Sequence, residues 1–472
     1  GVDIPGYIAL VKEKRYADAV KLIRKDNPFP TACALICEHP CEARCRRNMI
    51  DSSINIRGLK RMAVDNARAN TVPVPEKAQG TGKRIAIVGG GPGGLSAAYY
   101  LELMGHHAVV FEEKSKLGGM LRYGIPSYRF PRERLQEDID AILSTGVEVR
   151  LNTRIGNEEG EIPFEKLREE FDAVHVAIGA HTDKKIGIEG EDSKGVMSAV
   201  EMLRSIGDEN MPDFKDKTVV VVGGGNVAMD CTRSAIRLGA KKVGIAYRRR
   251  QDDMTALPEE VEGAVAEGAE LYALKAPHKI EADENGNVAA LWVKPQIIGP
   301  IDAWGRARPI QADVPLLRIP CDIVVVAIGQ GIETRHFQEA GLSVKRGTFS
   351  AMSDSEIKDV PGVFAGGDCV TGPATVIRAI ASGKVAAANI DEYLGYHHVV
   401  PCDVEIPPVS YEDKEPCGRI QLSEKEAGDR KKNFDAFECG MSEQEACQEA
   451  GRCLRCDKYG YGSLKGGRAA IW

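Results

Sequence analysis

Long apolar stretches are missing from this 472-residue chain. Runs such as Thr218–Val222 fall far short of the roughly 20 residues a membrane helix needs, so no membrane role is expected. An excess of positive charge is missing too: 62 Lys and Arg stand against 69 Asp and Glu, a net charge of −7. That balance leaves no electrostatic footprint for nucleic acid or an anionic surface. No export signal is read near the start, where Asp3, Lys12, Glu13 and Lys14 interrupt any apolar region, and a cytoplasmic setting is expected. The chain opens on Gly1 rather than Met, so an upstream segment is expected. A disulfide scaffold is disfavoured as well. Thirteen cysteines is an odd number, and without an export signal they read as reduced thiols, some of them metal ligands.

What is present is ordinary globular material, 43% hydrophobic and 28% charged, enough for two to four domains. Residues 1–70 read as short helices, with apolar residues at helical spacing over 7–11, 17–23 and 59–67 and breaks at Pro28, Pro30 and Pro40. Residues 71–83 (TVPVPEKAQGTGK) read as a linker. From Arg84 the text changes to buried strand, glycine turn, helix and strand, and the same order returns at Thr218. Continuous Val/Ile runs imply strands covered on both faces, hence parallel sheets flanked by helices. Further buried strands are expected within 173–180 and 323–330, and a helix at Glu443–Gly451.

The first glycine motif is Gly89-x-Gly91-x-x-Gly94. Its glycines permit the turn, the approach of a pyrophosphate and close helix–strand packing, and the helix N-terminus favours phosphate. The following strand ends in Glu112, where a carboxylate can accept from ribose hydroxyls. The second motif, Gly223-x-Gly225-x-x-Ala228, leads to a strand ending in Tyr247-Arg248-Arg249-Arg250. A carboxylate there would repel a 2′-phosphate, whereas guanidinium groups pair with it, so this site suits NADPH. The plainer alternatives are a glycine turn that only packs and an arginine run that is only solvated. A third signal is Gly362-Val-Phe-Ala-Gly-Gly-Asp368, a short strand ending in Gly-Gly-Asp ahead of a helical segment.

This order of motifs resembles the flavoprotein reductases with two dinucleotide-binding domains. The segments Gly118-Gly-Met-Leu-Arg-Tyr-Gly-Ile-Pro126, Gly223-Gly-Gly-Asn-Val-Ala-Met-Asp230 and Met254-Thr-Ala-Leu-Pro-Glu-Glu260 resemble one family in particular. It is the small (beta) subunit of NADPH-dependent glutamate synthase, with its relatives the large subunit of the electron-bifurcating NADH-dependent ferredoxin:NADP transhydrogenase and dihydropyrimidine dehydrogenase. The resemblance implies an α/β fold of two Rossmann-like domains, the NADPH domain inserted in the FAD domain, behind a small α-helical iron–sulfur domain. The units expected are 1–70 (iron–sulfur), 71–83 (linker), 84–198 and 331–394 (FAD), 199–330 (NADPH) and 395–472 (a cysteine-containing tail). It implies FAD contacts at Gly89, Gly91, Gly94, Glu112, Gly119, Leu121, Arg122, Asp368, Thr375 and Val376. NADPH contacts would fall on Gly223, Gly225, Asn226, Val227, Arg248 and Arg249. The flavin would be the reactive group, with the protein supplying orientation and electrostatics.

Cys33, Cys37, Cys41 and Cys45 recur every four residues. On an unbroken helix the outer pair would stand about 18 Å apart, but Pro40 breaks it and lets the thiolates gather. Residue chemistry alone leaves an iron–sulfur cluster, zinc or a buried stripe open. The resemblance (NPFP, CEHPCEARC, INIRGLKR) implies a [4Fe–4S] centre. Relatives carry a further four-cysteine motif upstream, and dihydropyrimidine dehydrogenase has a glutamine ligand where this chain has Lys60; Cys33 would take that role here. Cys453 and Cys456 form a second candidate ligand pair, with Cys439 and Cys447 nearby. No CxxC flanks either glycine motif, and Cys231 and Cys369 read as small core residues. The expected activity is hydride exchange between NADP(H) and FAD with electrons passed singly to [4Fe–4S] clusters, in a transhydrogenase or electron-bifurcating enzyme. Other redox subunits, and ferredoxin among the acceptors, are the expected partners. A glutamate synthase small subunit and a non-catalytic redox scaffold are the alternatives.

Overall fold

The computed structural model describes residues 1–301, 305–409 and 417–458; the tail residues 410–416 and 459–472 lie outside the described residues. At the N-terminus, helices Ile4–Lys12, Tyr16–Arg24 and Ile56–Asn66 bury Tyr7, Leu10, Val20, Ile23 and Leu59 in one core. The first and third start on side-chain caps, Asp3 accepting from the Gly6 N–H and Asn55 from the Gly58 N–H, each worth about 1 kcal/mol. A short helix, Pro30–Leu35, is pinned from outside this domain. The buried Asp138 carboxylate accepts from the Thr31 and Ala32 N–H groups at 3.1 and 2.8 Å.

Two five-stranded parallel sheets follow. The first runs, across its width, Val363–Ala365, Ala173–Val176, Arg84–Val88, His107–Phe111, Glu148–Arg150. The second runs Val196–Ser198, Ile323–Val326, Thr218–Val222, Lys242–Tyr247, Glu270–Ala273. The central strands are buried on both faces, as their unbroken Val/Ile runs require. Because Val363–Ala365 joins the first sheet after the chain has completed the second, the second unit is inserted in the first. The chain crosses between them at Thr182–Asp183 and Gln330–Gly331, which pair antiparallel. Val196–Ser198 sits on the edge of the second sheet, although the sequence reading kept residues up to 198 in the first unit. Three residues carry no periodicity; pairing with Val324–Val326 decides their side. A four-stranded antiparallel sheet built on the long strand Val288–Ile301 was also not expected.

The tail returns to both ends of the molecule. Helix Glu443–Gly451 places Ala446 and Ala450 in the N-terminal core, with Met441 and Cys453 beside them. Buried Glu449 accepts from the Asn55 and Ile420 N–H groups at 2.7 and 2.8 Å, and buried Arg452 donates to Glu449, Asp51 and the Ser52 carbonyl. Further back, Arg430 and Phe437 reach the second nucleotide-type unit. There the fully buried Glu267 carboxylate receives Arg233, Arg237 and Arg430 at 2.7, 2.5 and 2.9 Å. The Arg237 guanidinium lies 3.9 Å from the Tyr128 ring centre and that of Arg233 4.5 Å from Phe437. No helix among the described residues is long and apolar enough to cross a membrane.

Candidate functional site

The first glycine turn is shaped by what a side chain would strike. A Cβ on Gly89 would come within 2.5 Å of the Ala177 carbonyl, and one on Gly94 within 2.0 Å of the Gly89 carbonyl. Gly91 differs: a Cβ there would meet only the Gly119 Cα, at 3.8 Å. Two bare backbones therefore face each other where helix Pro92–Leu103 begins, leaving its N-terminus open to an anion. The cleft beside them has about 1160 Å³ free of protein atoms, part of it open to solvent. Glu112, Tyr123, Arg204, His336 and Asp368 are among its walls.

Glu112 is buried, and its two oxygens accept from the Gly90 and Lys114 N–H groups at 2.7 and 2.8 Å. Burial pushes its carboxyl up, and the two N–H bonds oppose that. The side chain thus shapes the turn as well as facing the cleft, and each oxygen keeps a lone pair. Asp368 follows Gly367, whose φ of 77° only glycine adopts readily. Its carboxyl, pushed up to about 6 by burial, accepts one long bond from the Ala374 N–H at 3.2 Å. A half-buried carboxyl with spare acceptor capacity in a backbone-lined cleft fits a polyhydroxylated ligand. Thr375 and Val376 stand half-buried at the start of helix Val376–Tyr393. Leu121 and Arg122 do not enter the cleft. Leu121 is fully buried in the core, and Arg122 turns inward to the Leu117 carbonyl and Gln136, so Met120 and Tyr123 line the cleft instead.

At the second turn, a Cβ on Gly223 would lie 2.2 Å from the Ala327 carbonyl, while one on Gly225 would meet only Thr255 Oγ1, at 3.3 Å. Helix Asn226–Arg237 starts there. Asn226 Oδ1 accepts from the Leu257 N–H at 2.9 Å, and Val227 packs on the core of this unit. The strand Lys242–Tyr247 delivers the arginines. Arg250 is committed to Asp253 at 2.8 and 2.9 Å, whereas Arg248 is exposed and Arg249 half-buried at the strand end. The Tyr247 phenol, pushed up by burial, is drawn back by the guanidiniums of Arg249, Arg306 and Arg248. Arg306 thus joins the pair named from sequence, and only the hairpin fold brings it there.

The cysteine segment is not one helix. Cys33 lies on Pro30–Leu35, Cys37 in a loop, Cys41 on the short helix Pro40–Ala43 and Cys45 just beyond it. Burial pushes the Cys33 thiol up to about 12 and that of Cys41 up to about 11, each opposed by the nearby Lys60 ammonium. A metal centre must overcome that resistance to thiolate formation. The tail cysteine Cys453 converges on them: the buried Tyr7 phenol, raised first by burial, also feels Cys41, Cys37 and Cys453. Cys456 sits one turn further on, Cys439 is exposed, and Cys447 Sγ lies 3.7 Å from the Lys12 carbonyl. Tetrahedral zinc needs sulfurs about 3.8 Å apart, from Zn–S bonds of about 2.3 Å. Among the described residues the one trio of His, Cys, Asp or Glu with ligand atoms all within 4.8 Å is His106, Asp391 and His398, so no three of these sulfurs form a tetrahedral zinc nest. Cys231 and Cys369 are fully buried, as small core residues should be.

Comparison with known proteins agrees with this geometry. Residues 83–383 match the family described as pyridine nucleotide-disulphide oxidoreductase, and residues 1–72 the one described as dihydropyrimidine dehydrogenase domain II, 4Fe-4S cluster. The chain is 38% identical to the NADP(+)-dependent formate dehydrogenase subunit beta of Moorella thermoacetica, over 98% of this chain and 70% of that protein. It is 37% identical to the NADPH-Fe(3+) oxidoreductase subunit beta of Geobacter sulfurreducens, over 96% and 73%. The glutamate synthase [NADPH] small chain of Escherichia coli is 32% identical over 83% and 86%. FprA of Mycobacterium tuberculosis, solved in complex with NADPH, shares the fold with a TM-score of 0.56 at 20% identity, covering 66% of this chain and 85% of that one.

Proposed function

The chain belongs to the pyridine nucleotide-disulphide oxidoreductase family, with a 4Fe-4S domain of the dihydropyrimidine dehydrogenase type ahead of it, and from that premise we propose that it is the NADP(H)-handling electron-transfer subunit of a multi-subunit enzyme. It is an NADPH-dependent FAD oxidoreductase, and bound FAD supplies the exchange between hydride transfer and single-electron steps. In this reading the Gly91 and Gly119 backbones admit the FAD pyrophosphate to the first helix N-terminus. Glu112 accepts from its ribose, and Asp368 from the ribityl hydroxyls. Gly225 and Asn226 face the NADP(H) pyrophosphate, and Arg248 and Arg249 hold the 2′-phosphate in fork geometry. Cys33, Cys37, Cys41 and Cys45 hold a [4Fe–4S] cluster, with Cys453 and Cys456 serving a centre at the same end. Partner redox subunits supply or take the single electrons. The narrower role of an electron-bifurcating transhydrogenase belongs to the same proposal.

One observation carries the reading: the strand beyond the first glycine turn leads to a buried carboxylate bonded to that turn, and the strand beyond the second leads to arginines, Arg248 exposed and Arg249 half-buried. A glutamate synthase small subunit is the second reading. The beta-subunit relatives match over 96–98% of the chain, against 83% for the glutamate synthase small chain, and this favours the first. The test is an anaerobic titration of the yellow protein with NADPH and NADH, repeated on an Arg248→Ser/Arg249→Ser variant. Loss of charge-assisted contacts worth about 1.5–3 kcal/mol should weaken NADPH by about 10- to 100-fold, leaving NADH and flavin content unchanged. Equal loss for both nucleotides would overturn the assignment of the arginines.

A further inference from the structure

The loop between Cys37 and Cys41 does not end at its own domain. Glu38 Oε1 accepts from Asn226 Nδ2 at 2.8 Å, and Asn226 is the first residue of the helix that opens at the second glycine turn. The amide is held at both ends, because its Oδ1 accepts from the Leu257 N–H at 2.9 Å. The neighbouring His39 repeats the link, with Nε2 lying 3.8 Å from Glu259 on helix Pro258–Ala266. Two consecutive residues of the cysteine loop thus reach the second unit, Glu38 at the first residue of the helix that opens at its glycine turn and His39 at the next helix. Exposed Glu38 puts a carboxylate beside the first residue of the helix whose N-terminus is proposed above to face the NADP(H) pyrophosphate.

Like charges a few ångströms apart repel, so a nucleotide entering this turn gains by moving Glu38 off Asn226. The Glu38 contact and the His39–Glu259 approach are two ties of the loop between Cys37 and Cys41 to the second unit, so losing the first leaves that loop less constrained. Resting on the nucleotide and cluster assignments proposed above, we propose that Glu38 is a positioning residue that couples occupancy of the NADP(H) site to the iron–sulfur loop. Nucleotide binding releases the loop, and a change of charge at the loop alters nucleotide affinity. Linkage makes the two effects equal in free energy: a tenfold difference in NADP⁺ affinity between oxidised and reduced protein equals a 59 mV shift of a one-electron potential.

The test uses the purified full-length protein and its Glu38→Gln variant, which keeps the shape of the side chain and removes the charge. NADP⁺ affinity is measured by calorimetry, and the cluster midpoint potential by redox titration followed by EPR, with and without saturating NADP⁺. Glu38→Gln should bind NADP⁺ about 3- to 10-fold more tightly, since each tenfold corresponds to about 1.4 kcal/mol of relieved repulsion. The potential should move on NADP⁺ addition in the wild type and lose most of that movement in the variant. Glu38→Ala, which removes the contact altogether, should lose it as well. Unchanged affinity and an unchanged nucleotide response in both variants would overturn the coupling. The Arg248→Ser/Arg249→Ser variant separates that failure from a wrong site. If it binds NADP⁺ weakly while the Glu38 variants behave as wild type, only the coupling falls; if it binds normally, the site assignment falls and the coupling with it.

Discussion

His175 sits in the middle of the first sheet, fully buried, and neither ring nitrogen finds a hydrogen-bond partner among the described residues. Burial therefore holds the imidazole neutral, pulling its pKa from 6.5 down to about 4. The unfolded chain takes up its proton near 6.5, so stability falls as pH drops from about 6.5 to 4 and is unaffected by this residue above that window. The difference approaches about 3 kcal/mol at the acid end. His175→Leu should remove this component. Thermal unfolding followed from pH 7 to pH 4.5 should show a shallower acid decline than in the wild type, and parallel declines would mean the ring titrates freely. At this scale the sequence was legible where one residue type has one use. Glu112 and Asp368, which border the cleft, could be read from the text because each carboxylate stands just beyond a buried strand, whereas the side chains of Leu121 and Arg122, named from the resemblance, turn into the core. Arg306 could not be found, since nothing in a linear text says which hairpin leans over Tyr247.

Glu267 binds elements together. It lies just past helix Pro258–Ala266, and its three guanidiniums come from helix Asn226–Arg237 and from the tail. Arg129 adds a further pair, donating to Asp230 at 2.9 Å and approaching Glu260 at 3.2 Å. Removing one partner from a buried ionic network leaves charge uncompensated, at a cost of about 3–5 kcal/mol. Glu267→Gln keeps the shape and should lower stability by that order, read as an earlier melting transition at constant flavin content. A melting temperature equal to that of the wild type would mean that the arginines are solvated. No motif announced this network, because Arg233 and Arg237 lie on one helix and Glu267 just past another, and only packing brings them together. The glycine turns and the break at Pro40 were legible, since stereochemistry leaves them few alternatives. The edge strand Val196–Ser198 and the antiparallel sheet were not, because pairing partners distant in sequence decide them.

Across the whole molecule the tail acts as a strap with one end in each distant unit. Glu438 receives Arg57 and Arg61 of the N-terminal domain at 2.5 and 2.8 Å, while eight residues earlier Arg430 is buried with Glu267. A chain ending at residue 417 would lose four members of the N-terminal core, namely Met441, Ala446, Ala450 and Cys453. Such a truncation should retain flavin but lose iron and acid-labile sulfide, and expose apolar surface that binds a hydrophobic dye. Full iron content in the truncated protein would show that the N-terminal domain closes without the strap. The tail cysteines were legible in the sequence but the strap was not, because Glu449 and Arg452 become a buried pair only once the N-terminal helices are in place.

The shared core also sets an order of events during synthesis. At about 5–20 residues per second, residues 73–453 take on the order of 20 to 80 seconds to follow the first helices out of the ribosome. Throughout that interval the nascent N-terminal domain presents Tyr7, Leu10 and Leu59 around a half-built pocket, and Cys33 to Cys45 stand open to whatever delivers iron and sulfide. For the centre proposed on Cys33 to Cys45, loading is then expected to be easiest before residues 441–453 arrive to complete the shared core.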